Sequence, residues 1–282
     1  MLIKVVICGK MLLTNKNKNV EGLEAMLAVD RLKKIEELLI ENGSVLISNL
    51  SELFDVSEET VRRDLDKLEK ENKLKRVRRG AYLPETADNE VPIGIREKIY
   101  LEEKQLIGEK CIEMIEEGDC IMLDSSTTAL YIAKNLNTSK KKVTVITNSL
   151  MITHEFDKSK TVKVICLGGI LRKSTSSFVG YMTTENLEKL SADKAFISCS
   201  SISTDMGVTD NHELEAMVRK NMLTNSMKKY LVVDYTKFDS PSVNKICKLN
   251  ELDVIITDRE ISKKYKEVLI KNEVEIVIAS EE

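Results

Sequence analysis

"VSEETVRRDLDKLEKENKLKRVRRGAYL", residues Val56–Leu83, joins an amphipathic helical pattern to a basic, turn-containing stretch, and its reading sets the architecture of the whole N-terminal part. Val61, Leu65 and Leu68 recur at helical spacing and define one apolar face. Ser57 stands where an N-cap is needed, and Glu58 and Glu59 follow it in the first turn, where the helix dipole favours negative charge. Beyond the helix, "KLKRVRRGAYL" offers Gly80 for a turn and Val77, Ala81, Tyr82 and Leu83 for extended chain, which predicts a β-hairpin.

Two further helices precede this stretch. From Asp30, the residues Leu32, Ile35 and Leu39 lie on one face, and "ENG" ends the segment at Gly43. "ISNLSELF" then carries Ile47, Leu50, Leu53 and Phe54 as its apolar set, and Asp55, Val56 and Ser57 form a tight connector. Three short helices with a tight second turn and a following hairpin predict a winged helix-turn-helix.

Charge supports a nucleic-acid partner for this unit. Thr60 to Leu83 contain nine Lys or Arg against four acids, a local excess of about +5 in a chain whose net charge is −3. The third helix is expected to enter the major groove, with Ser57, Thr60, Arg62 and Arg63 at its exposed start. Lys73, Lys75, Arg76, Arg78 and Arg79 of the wing are expected to follow the phosphate backbone.

The rest of the chain bounds the alternatives. At 282 residues it exceeds a single domain of roughly 100 to 200 residues, and 42% hydrophobic with 32% charged residues describes a soluble globular protein. Its six cysteines form no C-x-x-C pair and read as buried, reduced thiols of a cytoplasmic protein; two histidines without metal-ligand spacing argue against a zinc site. Neither a cofactor nor a metal is expected, and the N-terminal apolar stretch is too short for a membrane span. Residues 1–25 read as an extension, disordered or the product of an over-long start assignment. The winged unit is assigned to residues 26–83, and a linker containing the polar stretch "PETADNEVP" to residues 84–97.

From residue 98 to 282, apolar β-rich runs such as "CIMLDS", "VTVITNS", "VKVICLGG", "KAFISCSS", "KYLVVDY", "DVIITD" and "EIVIAS" alternate with helical patterns. Strands that are apolar throughout and separated by helices predict an α/β domain with a mostly parallel sheet covered on both faces. Asp124 and the hydroxyls Ser125 to Thr128 fall between one such strand and the next helix, where free N–H groups and the helix dipole suit an anion. Thr147, Asn148, Gly168, Gly169 and Lys237 share this position at other strand ends. One Ser or Thr serving only as an N-cap is the simpler alternative.

The stretch from Val56 to Leu83 resembles the winged-helix signature of the DeoR-type family of bacterial sugar-operon regulators, in which T-[IV]-R-R-D-L opens the recognition helix. "DSSTTALYIAKNL", "VTVITNS", "LGGILRK", "FVG", "DKAFISCSSI" and "VVDYTKF" match the same family in order, so the resemblance runs from about residue 30 to the C-terminus. It implies a C-terminal domain similar to ribose-5-phosphate isomerase that binds phosphorylated sugars. Residues matching the ligand-pocket motifs are Asp124, Ser126, Thr127, Thr128, Gly168, Gly169, Glu215 and Lys237. Three departures stand out: Arg78-Arg79-Gly80 where the family usually has His-Gly-Gly, Ser126 where it often has Gly, and "CSS" at Cys199–Ser201 where a small residue and Gly are common. The expected function is transcriptional regulation, as a repressor of a sugar operon, with operator double-stranded DNA, a phosphorylated-sugar effector and a second copy of the chain as partners. The rivals are a sugar-phosphate isomerase with a DNA-binding appendage, using Asp124 or Glu215 as base with a lysine, and a winged-helix protein-interaction module.

Overall fold

The computed structural model describes residues 3–7, 10–14, 27–83, 91–239 and 241–280. Strands β1 (Ile3–Ile7) and β2 (Lys10–Thr14) pair as an antiparallel hairpin within the expected extension. The other residues of that extension, with residues 84–90 of the expected linker, lie outside the described residues.

The head begins with α1 (Ala28–Asn42), which ends where Gly43 takes φ 72° and returns its N–H to Leu39 O at 2.7 Å. A short strand β3 (Ser44–Leu46) follows, then α2 (Ile47–Phe54) and, after Asp55 in the left-handed conformation, α3 (Glu58–Lys70). Ser57 caps α3, its Oγ accepting from Thr60 N at 3.2 Å. The wing is β4 (Lys75–Val77) and β5 (Gly80–Tyr82), and β3 joins it to give an antiparallel sheet ordered β3-β5-β4. At Gly80 a β-carbon would sit 2.1 Å from Val45 O, so the pairing of β5 with β3 requires glycine. Ile35, Leu39, Ile47, Leu50, Val61, Leu65 and Leu68 form the core of this unit. Leu53, expected among them, is exposed, because α2 turns only its Ile47, Leu50 and Phe54 face inward. One buried ion pair crosses the base: Arg31 Nε meets Asp64 Oδ2 at 2.5 Å.

The expected linker is partly ordered secondary structure. α4 (Ile93–Arg96) lies inside it, because Ile95 is buried against Leu46 and Tyr82 of the head. After α5 (Leu101–Glu113), the α/β domain runs β6 (Cys120–Leu123), α6 (Thr127–Ser139), β7 (Val143–Thr147), α7 (Leu150–Glu155), β8 (Val162–Cys166), β9 (Ile170–Arg172), β10 (Ser177–Val179), α8 (Tyr181–Glu188), β11 (Ala192–Ile197), β12 (Ser201–Ser203), β13 (Gly207–Asp210), α9 (Glu213–Thr224), β14 (Ser226–Val232), β15 (Asn244–Cys247), β16 (Val254–Thr257), α10 (Lys263–Lys271) and β17 (Glu275–Ile278). Seven strands form a wholly parallel sheet in the order β17-β16-β14-β11-β6-β7-β8. Alternate residues feed opposite faces. Ile121, Leu123, Val145 and Phe196 pack under α5, α6 and α7, while Met122, Ile146, Ala195 and Ile197 pack under α8, α9 and α10.

From β6 the chain adds β7 and β8 on one side and then returns to place β11 on the other. That reversal puts the crevice of the sheet between the carboxyl ends of β6 and β11, which is where open α/β sheets hold ligands. Two small antiparallel units flank it, the hairpin β9–β10 and the sheet β12-β13-β15. The cysteine expectation needs correction. Cys111, Cys199 and Cys247 are buried, but Cys166 is exposed because β8 is an edge strand, and Cys120 is half-buried. Cys8 lies outside the described residues.

Asp64→Ala would remove the carboxylate that accepts from the buried Arg31 guanidinium in two places. The expected loss is about 3–5 kcal/mol of head stability, read from denaturant unfolding.

Candidate functional site

The cations predicted to meet DNA fall into two groups. At the start of α3, Arg62 is held by Glu58 at 2.6 Å and Arg63 by Glu59 at 3.5 Å, both one turn back on the same helix, and Thr60 is half-buried beside the Ser57 cap. Lys73 bridges Glu36 and Glu71 at 2.8 Å each, and these two partners push its pKa up to about 12. Lys75 is exposed, whereas Arg76 pairs with Asp66. At the wing turn the side chains face the other domain: Arg79 Nη1 donates to Lys98 O at 3.1 Å, and the Arg78 guanidinium lies 5.3 Å from the centre of the Tyr100 ring. Both arginines, expected to follow the phosphate backbone, are exposed, and the turn abuts the start of α5.

A cleft of about 420 Å³ opens at the sheet reversal. Its walls are Ser126, Thr127 and Thr128 after β6, Ser198 to Ser200 after β11, and Lys237 after β14, with Arg78 and Tyr100 at the side of the head. Ser126 is the N-cap of α6, accepting from Ala129 N at 3.0 Å while donating to Asp124 Oδ1 at 2.6 Å. The first-turn N–H groups of Thr127 and Thr128 have no acceptor within a helix by construction, and they point to the N-terminal end. Lys104 also lines the cleft. It is 4% exposed, its Nζ donates to Arg96 O and to Ile99 O, and burial pushes its pKa down to about 7.

Beneath these walls lies an ion network built on Arg219. Its Nε meets Asp124 Oδ2 and its Nη1 meets Asp210 Oδ2, both at 2.6 Å, with Glu215 at 4.0 Å. Asp124 also accepts from the backbone of Ser126 and Ser198, at 3.1 Å each. Glu215 accepts from Ser125 at 2.9 Å and Ser177 at 2.7 Å. Burial alone would raise the Glu215 carboxyl, but Arg219 and these hydroxyls outweigh it and hold the pKa below the usual carboxylate value.

Of the residues assigned to the effector, Ser126, Thr127, Thr128 and Lys237 are brought together in the cleft. Asp124 and Glu215 are turned inward, their oxygens taken by Arg219, serines and backbone. Thr147 accepts from Ser149 N at 3.1 Å, and Asn148 exchanges two hydrogen bonds with Phe178, fastening the β9–β10 hairpin. Gly168 O accepts from Thr183 at 2.9 Å, and a β-carbon at Gly169 would come within 2.8 Å of Val179 O. These four shape the crevice from outside it. Lys104, Arg219, Tyr100 and Ser198 escaped the sequence reading; the one signal was a charged residue inside an apolar helical stripe, Lys104 three residues before Ile107 and Arg219 three after Ala216 and three before Met222. Among the described residues there is no metal-binding cluster of His, Cys, Asp or Glu, and no helix is long and apolar enough to cross a membrane.

Comparison with known proteins joins the two halves. The model of the DeoR-like helix-turn-helix domain matches residues 31–87, and that of the DeoR C terminal sensor domain matches residues 100–259. The chain belongs to the DeoR family. Its DeoR relatives include the HTH-type transcriptional regulator YulB of Bacillus subtilis (strain 168), 36% identical over 83% of this chain and 90% of the relative. The HTH-type transcriptional repressor GlcR of the same strain is 33% identical over 90% of this chain and 97% of its own length. The lactose phosphotransferase system repressor of Staphylococcus epidermidis (strain ATCC 12228 / FDA PCI 1200) is 34% identical over 88% and 98%. A solved ribose 5-phosphate isomerase A from Methanocaldococcus jannaschii superposes with a TM-score of 0.37 at 13% identity, over 50% of this chain and 55% of the isomerase, a likeness too slight to speak to function. As a DeoR-family member, the chain is a DNA-binding transcriptional regulator with a sensor domain.

Arg219→Met would strand Asp124 and Asp210 as buried charges, and a loss of about 3–5 kcal/mol in sensor-domain stability is expected in urea melts. Lys104 predicts the opposite sign. Its folded pKa of about 7 lies below the unfolded value of about 10.4, so the unfolded chain binds the extra proton between them, and the cost of burying Lys104 is fully present below pH 7. Lys104→Met should therefore raise Tm at pH 6, with the advantage shrinking steadily as pH climbs toward 10.

Proposed function

We propose that the chain is a cytoplasmic repressor that binds operator DNA through residues 26–83 and is released by a phosphorylated sugar bound in the domain spanning residues 98–282. The observation that carries this reading is the cleft at the sheet reversal. There the N-terminus of α6, the hydroxyls of Thr127 and Thr128 and the two lysines Lys104 and Lys237 converge on one space, whose lining also includes Asp210 and Asp234. Backbone N–H groups, hydroxyls and ammonium groups are the donor set that a phosphate needs. The cleft volume of about 420 Å³ falls within the usual range for small-molecule sites.

Relatives named as repressors, among them a lactose phosphotransferase system repressor, support both the sign of regulation and a sugar-derived effector. Sensing without turnover is the better reading. The carboxylates that an isomerase would use as base are those tied to Arg219, and Glu215 is held below the usual range, the wrong direction for a base at neutral pH. Two copies of the head on a palindromic operator fit the two-fold symmetry of such sites.

The test is thermal denaturation against a panel of phosphorylated sugars. At 100 times Kd a true effector adds about 2.7 kcal/mol of stability, and the shift should vanish in Thr127→Val/Lys237→Met. Absence of a shift with every member, or failure to bind promoter DNA even at low salt, would sink the reading.

A further inference from the structure

The wing is docked on the sensor domain by three independent contacts. Ile95 and Ile99 of the connecting segment pack with Leu46, Val77 and Tyr82 of the head, Arg79 donates to Lys98 O, and Arg78 stands over the Tyr100 ring. Tyr100 in turn meets Tyr235 edge-on at 5.7 Å between centroids, and Tyr235 lies on the 3-10 turn that ends at Lys237. The Arg259 guanidinium lies over the Tyr235 ring, 3.7 Å from its centroid. Tyr100 holds φ 53°, a left-handed backbone that a bulky residue seldom adopts, at the start of α5. The ring stands at the junction of wing and cleft, and Arg78 lines the same space as Ser126, Thr127, Thr128 and Lys237.

We propose that Arg78 is a ligand of the effector, a guanidinium that the DNA-binding head lends to the sensor's cleft, where it meets a phosphate group together with Lys237. This rests on the reading of the cleft as the effector site. Arg78 is exposed, and its partners are the neutral tyrosines Tyr100 and Tyr235, through hydrogen bonds and the Tyr100 ring. A phosphate offers the same guanidinium paired, charge-assisted hydrogen bonds, which are the stronger contact. An effector in the cleft then pins the wing to the sensor. Operator phosphates and effector phosphate become alternative occupants of one side chain, so each weakens the binding of the other by the same factor.

The experiment uses the full chain and two probes, inorganic phosphate and glucose 6-phosphate, titrated calorimetrically into wild type, Arg78→Met, Arg78→Lys and Lys263→Met, the last an exposed cation on α10 that serves as charge control. Arg78→Met is expected to raise Kd about tenfold, with Arg78→Lys between it and wild type and Lys263→Met unchanged. In parallel, saturating probe should weaken binding of a non-specific DNA duplex at low salt several-fold for wild type, and this antagonism should disappear in Arg78→Met. Wild-type probe affinity in Arg78→Met, or antagonism that persists there, overturns the proposal while leaving the cleft reading intact. Wild type that binds neither these probes nor any member of the sugar-phosphate panel overturns both.

Discussion

Arg219 is the tie on which the sensor half depends. Its guanidinium joins the carboxylate at the end of β6, the one at the end of β13 and, less closely, Glu215 on its own helix. Asp124 passes the restraint on by accepting from Ser198 N, so the two strand ends on either side of the sheet reversal share one carboxylate. Burying charge is expensive, and it is repaid here only because every oxygen finds a donor. Asp124, Asp210 and Glu215 face two guanidiniums, those of Arg219 and Arg172, and the remaining negative charge is met by serine hydroxyls and backbone N–H groups. The network reaches the cleft itself, since Asp210 and Arg219 line it together with Asp234, the hydroxyls of Thr127 and Thr128 and the lysines Lys104 and Lys237.

The same geometry decides how the two halves communicate. The head has its own core of Ile35, Leu65 and neighbours, while Leu46, Tyr82 and Ile95 form a separate, smaller apolar seam with the connecting segment. Lys104 fixes that segment from the other side by donating to Arg96 O and Ile99 O. The connector thus meets the head through apolar contact and the sensor through the buried amine of Lys104, and it is the segment that touches both.

The long elements were legible in the sequence because each carried its own signal. α1, α2 and α3 showed a 3.6-residue period, and Gly43 and Ser57 marked their boundaries. The parallel strands were visible as unbroken apolar runs, since both faces are covered. Strands of three or four residues, such as β3, β12 and β13, are too short for a period to emerge. In the cleft, the loop after β6 could be found from its hydroxyls and its place between strand and helix. Arg219 could not, because its partner Asp124 is 95 residues away and only the folded sheet brings them together. The inward turn of Asp124 has the same origin: nothing local in "LDSSTTAL" distinguishes a carboxylate that faces a ligand from one that faces a buried arginine.

The ion pairs at the start of α3 have a consequence for where the head carries its charge. Arg62 and Arg63 are each met by a glutamate one turn back, so the helix presents guanidiniums already partnered with carboxylates. Glu58 and Glu59 thus balance Arg62 and Arg63 charge for charge, and the first turns of α3 are locally neutral. The surplus of positive charge in the head lies further along the chain, from Lys67 to Arg79. The electrostatic centre of the head is therefore offset from the start of its third helix toward the wing.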